Sequence, residues 1–406
     1  MNAKQAHKIV LGVAGGIACY KAVELVRLLV REGFLVQVIM TREAMNFVAP
    51  LTFQTLSGRP VATEIFSLTE ESEIGHINLA DQAEVFVIAP ATANIIGKIA
   101  GGMADDLLTT VVMATQAPVL IAPSMNVHML DNPIFQENVR KLKRIGYTFI
   151  EPAEGYLACG YEGKGRLPEP ADVVEEIHSL LKKKDLAGER LLITAGPSHE
   201  PIDPVRYIAN RSSGKMGYAL ARAGVRRGAE VTLVSGPTSL PPPSRARLIR
   251  VKTAAEMRAA VMREYPRSTA VVMAAAVADY SPEKFSPRKV KKTERPLKLD
   301  LKANPDILKE LGATKNGQVL IGFAAETEEL IPNAKKKLRE KNLDFIVAND
   351  VTSEASGFEA DTNAATILDR QGKVEPQPLM SKDELADRIF DRLRDLRNGR
   401  REPLVG

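Results

Sequence analysis

Cysteine is scarce, with two among 406 residues, Cys19 and Cys159, and no CxxC spacing. That excludes a disulfide scaffold and a thiolate zinc site. No apolar run approaches the ~20 residues that a membrane-spanning helix needs. The opening MNAKQAHK leads directly into IVLGVAGG, too short and Gly-rich for a signal-peptide core, so a cytoplasmic location is expected. Internal repeats and low-complexity tracts are missing, and so is a basic patch. The net charge of +5 and the pI near 9.0 come from scattered Lys and Arg. The densest runs, Lys182–Lys184 and Lys335–Lys337, fall in helical patterns. Such charge suits small anionic substrates better than nucleic acid.

What is present is an ordinary globular composition, 45% hydrophobic and 26% charged. The chain exceeds what one core usually supports, so two domains are expected. Its first half alternates apolar runs with amphipathic patterns. Strands are predicted at Ile9–Val13, Val36–Met40, Val85–Ala89 and Val119–Ala122. Helices are predicted at Ala18–Arg31, Asn94–Ala100, Asp106–Thr115 and Pro133–Arg144. This βαβα order implies an open parallel sheet with helices on both faces. Residues 151–170, dense in Gly, Pro and Glu, read as a long mobile loop. A helix at Asp172–Lys184 runs into the charged linker KKKDLAGER.

The second half repeats the alternation. Its predicted strands are Leu191–Thr194, Val231–Ser235, Leu248–Val251, Ala270–Ala274, Leu320–Phe323 and Phe345–Val347. Its predicted helices are Met216–Arg227, Ala254–Tyr265, Ile307–Leu311, Thr327–Lys341 and Lys382–Arg397. The Lys/Arg-rich stretch Pro282–Arg295 reads as a mobile loop.

Three strand ends in the first half present small and polar residues. GVAGGIACYK brings Gly12, Gly15 and Gly16, which permit a tight turn and close approach of a phosphate to a helix start. A plain strand–helix turn would use the same residues, and the full GxGxxG spacing is absent. APATANIIGK supplies Ala91, Thr92 and Asn94, and APSMN supplies Ser124 and Asn126. Together they suit a cofactor crevice at one sheet edge. These segments resemble the flavin-dependent cysteine decarboxylases over residues 8–180. The resemblance implies a flavodoxin-like, Rossmann-type domain that binds FMN through Gly15, Gly16, Thr41, Ala91, Thr92, Asn94 and Ser124. The family's catalytic His falls on His76 in EIGHINLA, its PxMN motif on Pro123, Met125 and Asn126, and its flap ACGxxGxGR on Ala158–Arg166 around Cys159. Leu stands where the family commonly has Trp after PxMN and Met after the flap, which bears on packing more than on chemistry. Taken singly, His76 would be a cap or surface residue, Cys159 a small hydrophobe and Asn126 a helix cap. Their joint occurrence in the motifs favours function. Cys19 reads as a small residue packed on a helix.

The implied chemistry is decarboxylation of 4′-phosphopantothenoylcysteine. Hydride transfer from the cysteinyl CH2–SH to FMN makes a thioaldehyde electron sink, CO2 leaves as an enethiolate forms, and the hydride returns. The resemblance makes Asn126 the holder of the substrate carboxylate, His76 an aid to oxidation and decarboxylation, and Cys159 the final proton donor. A thiol with a pKa near ~8.5 is mostly protonated at neutral pH and suits that role.

The second half carries LITAGPSHEPIDPVRYIANRSSGKMG at residues 192–217, an apolar run ending at Thr194, a Gly/Pro loop, a polar cluster and a helix start. It resembles the signature of the phosphopantothenate–cysteine ligases, and the match covers residues 188–395. MAAAVADY at 273–280, RKVKK around Lys289, NPDIL from Asn304 and GFAAET at 322–327 belong to the same resemblance. It implies a Rossmann-like domain that activates 4′-phosphopantothenate with CTP as an acyl-cytidylate, which the amine of L-cysteine then displaces. Two anions must meet, so cationic side chains and Mg2+ are required. Lys289 would stabilise the phosphoryl-transfer charge and Asn210 the acyl-cytidylate. Arg206, Lys337 and Lys341 would contact substrate or nucleotide. Asp279 would serve nucleotide or metal, and Ala274, Ala275, Ala276, Pro305, Asp306, Ile307, Leu308 and Phe323 would surround the nucleotide. Solvated lysines on a helix face and a turn-capping Asp are the plain alternatives for Lys337, Lys341 and Asp279.

Together the resemblances imply two three-layer α/β/α domains, residues 1–187 and 188–406, in a bifunctional enzyme of coenzyme A biosynthesis. They further imply a homo-oligomer, a dodecamer of decarboxylase trimers joined through ligase dimers. A ligase with a non-catalytic flavin-binding half, and a peptidyl-cysteine decarboxylase, are the alternatives. The first is opposed by the presence of His76, Asn126 and Cys159, the second by the attached ligase half.

Overall fold

The computed structural model describes residues 6–65, 75–156, 160–292, 297–326, 329–350 and 360–401. Two compact units divide the chain, residues 1–182 and 183–406. None of the described helices is long and apolar enough to cross a membrane.

The first unit is built on five parallel strands: β1 (Lys8–Val13), β2 (Leu35–Met40), β3 (Val85–Ala91), β4 (Val119–Pro123) and β5 (Thr148–Phe149), in the order β2-β1-β3-β4-β5. The strands are apolar and buried on both faces, as parallel strands covered by helices must be. Among the described residues, eight α-helices connect and cover them: α1 (Cys19–Arg31), α2 (Pro50–Ser57), α3 (Gly75–Gln82), α4 (Ala93–Gly101), α5 (Leu107–Ala114), α6 (Val127–Leu130), α7 (Pro133–Arg144) and α8 (Pro170–Leu181). Helix α1 buries Ala22, Leu25, Val26 and Leu29, the apolar stripe of a 3.6-residue period. With α8 it covers one sheet face, while α4 and α5 cover the other. Sequence reasoning passed over α2, although Pro50 opens it and Gly58, at φ +68°, closes it. The expected loop at 151–170 is corrected. Residues Ala153–Tyr156 (β6) and Glu162–Arg166 (β7) pair as an antiparallel hairpin. Alternating exposure along these strands shows an edge ribbon, whose glycines had masked its strand character.

The second unit opens with β8 (Arg190–Ala195), followed by β9 (Glu200–Pro201), β10 (Tyr207–Ile208), α9 (Lys215–Arg226), β11 (Glu230–Ser235), β12 (Arg247–Arg250), α10 (Ala254–Glu264), β13 (Ala270–Met273), β14 (Tyr280–Pro282), β15 (Leu301–Ala303) and α11 (Ile307–Ala313). It continues through β16 (Val319–Glu326), α12 (Leu330–Glu340), β17 (Phe345–Asp350), β18 (Thr362–Asn363), β19 (Ala365–Asp369), β20 (Val374–Pro376), β21 (Met380–Ser381) and α13 (Lys382–Arg401). The main sheet runs β12-β11-β8-β13-β16-β17-β19-β20. Its first six strands are parallel, in the Rossmann order 3-2-1-4-5-6 when counted along the sheet strands alone. The antiparallel pair β19/β20 was not foreseen; it turns at Gly372 (φ +88°), where RQGK joins two short runs. The stretch expected as a mobile loop after Pro282 lies between two paired strands, β14 and β15.

Candidate functional sites

In the first unit the connections after β1 and β3 leave in opposite directions, since β2 lies on one side of β1 and β4 beyond β3. A crevice opens at the carboxyl ends of such a pair. A cleft of about 600 Å³ lies there, within the range of small-molecule sites. Gly15, Gly16, Thr41, Thr92, Asn94, Ser124 and Asn126 all line it. Ala91, expected beside them, is fully buried in β3. Thr92 is the N-cap of α4, its Oγ1 accepting from Ile95 N at 3.3 Å. Ser124 N donates to Ala91 O (3.0 Å), which ties the two strand ends together. Asn126 caps α6, its Oδ1 accepting from His128 N at 2.8 Å. Met125 N donates to Gly165 O at 3.0 Å, so the β6/β7 hairpin is fastened beside the cleft that Tyr156 and Arg166 also line.

The two loop glycines do different jobs. A Cβ on Gly15 would come within 2.4 Å of Glu43 Cβ and 2.7 Å of its backbone carbon, whereas one on Gly16 would meet only Thr92 Cγ2 at 3.9 Å. Gly15 is therefore required by the protein's own packing, and Gly16 fronts open space. Sequence reasoning missed Lys21 and Glu43 in the lining. Lys21 is nearly buried, with Nζ 2.7 Å from Glu169 Oε1, and nothing in the run CYKAVE marks it. His76 is half-buried in the first turn of α3 and is not part of the lining. Cys159, in the flap, lies outside the described residues. Cys19 packs into the core and donates its Sγ to Ala14 O at 3.1 Å; burial pushes its thiol up.

In the second unit the switch falls between β8 and β13. Thr194 Oγ1 accepts from Ala275 N (3.1 Å), and Gly196 O from Ala276 N (2.9 Å), joining the two strand ends. Helix α9 sits tightly on this edge: a Cβ on Gly217 would lie 2.5 Å from Ala195 Cβ. Asn210 Nδ2 donates to Val277 O at 2.9 Å. Asn304 holds the next turn, donating N to Asp279 O and Nδ2 to Ala278 O, each at 2.8 Å. Asn210, the 274–280 segment and the turn of Pro305, Asp306, Ile307 and Leu308 thus form one hydrogen-bonded rim. Ala274, Ala275, Ala276 and Phe323 are half-buried along it, Ile307 is buried in the core, and Asn210, Asp279 and Lys289 are exposed. Lys341 Nζ reaches Asp306 Oδ2 at 2.8 Å, which takes it off the plain helix face. Burial works against ionisation of Asp306, but Lys341 and the backbone N–H of Lys309 outweigh it and hold the carboxyl below its usual range. Lys337 stands half-buried one turn earlier on α12. Arg206 is engaged by Asp203. Among the described residues no cluster of three or more His, Cys, Asp or Glu side chains could hold a metal.

A family model described as "Flavoprotein" matches residues 1–182, and one described as "DNA/pantothenate metabolism flavoprotein C-terminal domain" matches residues 186–396. The chain is 50% identical to the coenzyme A biosynthesis bifunctional protein CoaBC of Bacillus subtilis, over 95% of its own length and 96% of that relative's. It belongs to this bifunctional coenzyme A biosynthesis family. The Escherichia coli member is 43% identical, over 95% of this chain and 96% of its own. Among solved structures, the C-terminal domain of a CoaBC protein is 43% identical, covering 53% of this chain and all (100%) of its own, with a TM-score of 0.47. A PPC decarboxylase mutant complexed with pantothenoylaminoethenethiol is 29% identical, covering 43% of this chain and 97% of its own, with a TM-score of 0.39.

Proposed function

We infer that this family member performs two consecutive steps of coenzyme A biosynthesis. A ligase domain, which we assign to residues 188–406, ligates L-cysteine to 4′-phosphopantothenate at the expense of CTP. A decarboxylase domain, assigned to residues 1–187, converts the product to 4′-phosphopantetheine. The observation that carries the reading is the coincidence of motif and topology. Gly16, Thr92, Ser124 and Asn126 of the first unit, and Asn210 with the 274–280 segment of the second, lie at the carboxyl edge where the strand order reverses.

The cleft of the first unit fits FMN in size and in its lining of small, polar and apolar groups. When bound, FMN supplies the hydride acceptor and donor. Gly16 leaves room at its edge, while Thr92 and Ser124 bring hydroxyls to the two strand ends. Asn126 would hold the substrate carboxylate, and Cys159, between β6 and β7 in sequence, would be the proton donor. His76 is off the cleft lining of its own chain. We assign it to the decarboxylation by resemblance, and a homo-oligomer is part of the same reading.

In the second unit Lys289 offsets the charge that builds as carboxylate meets triphosphate, and Asn210 holds the acyl-cytidylate over the 274–280 segment. Mg2+ is commonly held by one or two carboxylates together with substrate phosphates, and Asp279 would give one such ligand. A cytoplasmic location suits these soluble metabolites. The test uses CTP labelled in its pyrophosphate part. With phosphopantothenate alone the protein should release labelled pyrophosphate, and the purified protein should be yellow. Colourless protein that takes up no FMN would remove the decarboxylase half, and absence of pyrophosphate release would remove the ligase half.

A further inference from the structure

The Asp203 side chain is fully buried in the turn between β9 and β10. Its Oδ1 accepts from the backbone N–H of Val205 (2.8 Å) and Arg206 (2.9 Å). Its Oδ2 accepts from Arg206 Nε (3.0 Å), Arg206 Nη2 (2.6 Å) and, across the unit, the backbone N–H of Val290 (3.1 Å). Arg206 Nη2 also donates to Val290 O at 2.6 Å. Both backbone groups of Val290 are therefore bound by one carboxylate–guanidinium pair. A few residues earlier, Ser286 N donates to Ile202 O at 3.0 Å, so the segment 286–290 is fastened at both ends to the 202–206 turn. Lys289, exposed, lies inside that fastened segment. The Arg206 guanidinium, against desolvation, holds the Asp203 carboxyl well below the usual carboxylate range, with the surrounding backbone N–H groups adding to it.

Lysine carries its charge on a flexible stem, so where it can act depends on where its backbone is held. We propose that Asp203 is a positioning residue of the ligase: together with Arg206 it clamps the backbone at Val290 and thereby fixes the reach of Lys289. The catalytic part rests on Lys289 being the cation of acyl-cytidylate formation, whereas the clamp itself does not. Asp203→Asn keeps the shape but leaves one acceptor oxygen and adds an N–H2 facing donors, so the Arg206 fork or the Val290 N–H loses its partner.

Two readouts on the whole protein test this. Trypsin has sites at Lys284, Arg288, Lys289, Lys291 and Lys292. Cleavage there should quicken by about tenfold in Asp203→Asn, with cleavage elsewhere unchanged. Pyrophosphate release without cysteine should fall roughly ten- to hundredfold, as misplacing a reacting group by about an ångström does. The loss should lie in the single-turnover rate at saturating CTP and phosphopantothenate, and it should nearly vanish when Asp203→Asn is added to Lys289→Gln, because both act through one group. Should Asp203→Asn not fold, Arg206→Lys, which loses the fork on Asp203 and the bond to Val290 O, enters the same cycle. Unchanged loop cleavage would overturn the clamp, and losses that multiply in full would overturn its action through Lys289. If Lys289→Gln alone keeps the parent rate, the Lys289 assignment and the catalytic link both fall, and the cleavage rates still decide whether the clamp exists.

Discussion

The two units place their candidate sites at the same topological position and build them differently. In the first, Gly16, Thr92, Ser124 and Asn126 already face one walled cleft. In the second, Asn210 and Asp279 stand exposed on a rim and Lys289 is exposed in the 286–290 segment, and neighbouring charges are held in pairs, Lys341 with Asp306, Lys215 with Asp361 and Arg206 with Asp203. A resident flavin needs a pocket that persists. A site that admits a triphosphate and two further substrates must stay open, and its cations need anionic partners until those substrates arrive. The contrast follows from the proposed chemistry, and variants in each unit test it.

The largest effect is expected on the open rim. Lys289→Gln should reduce pyrophosphate release by roughly two to three orders of magnitude, the cost of losing a preorganised charge. Asn210→Asp sets a carboxylate against an anionic acyl-phosphate, so its main defect should appear in amide formation rather than in pyrophosphate release. If both variants make phosphopantothenoylcysteine at the parent rate, the rim is the wrong place for the ligase.

In the first unit, His76→Asn should stop CO2 release, and Cys159→Ser should leave an oxidised enethiol product lighter by one H2, since a hydroxyl is a far weaker acid than a thiol. Mass analysis of the products checks both; normal turnover by the serine variant would free Cys159 from any role. The paired glycines give a finer test. Gly15→Ala forces Glu43 and its backbone aside, so it should destabilise the first unit by about 1–3 kcal/mol. Gly16→Ala should leave the melting midpoint of the flavin-free protein unchanged and alter only flavin retention. Equal loss of stability in the two would mean that their different surroundings do not matter.

The smallest effect belongs to Cys19. Burial raises its thiol pKa and so lowers its thiolate fraction. In the Cys159→Ser background the native protein should resist a thiol reagent near neutral pH and react once unfolded. Fast labelling of the folded protein would contradict the packed environment.

Apolar periodicity made most of this architecture legible, because parallel strands and amphipathic helices each write their burial directly into sequence. The strands β1 to β4 and the ends of α7 show it. The hairpin β6/β7 escaped because its Gly-rich strands bury little and leave no alternation of apolar residues. The β19/β20 pair escaped because its second strand is short and mostly exposed. Site residues with a motif around them were legible. Lys21 and Glu43 were not, since each gains its place from a contact far along the chain, with Glu169 and the Gly15 turn respectively. Such contacts depend on which loops the topology brings together, and no local spacing encodes them.

The central claim is that one chain carries both reactions, each on its own unit. Purified protein incubated with 4′-phosphopantothenate, L-cysteine, CTP and Mg2+ tests it most directly, with products identified by mass. The account predicts CMP, pyrophosphate, CO2 and 4′-phosphopantetheine, with phosphopantothenoylcysteine accumulating instead when His76 is replaced by Asn. Failure to form phosphopantothenoylcysteine, or its accumulation unchanged in the parent protein with flavin bound, would contradict it.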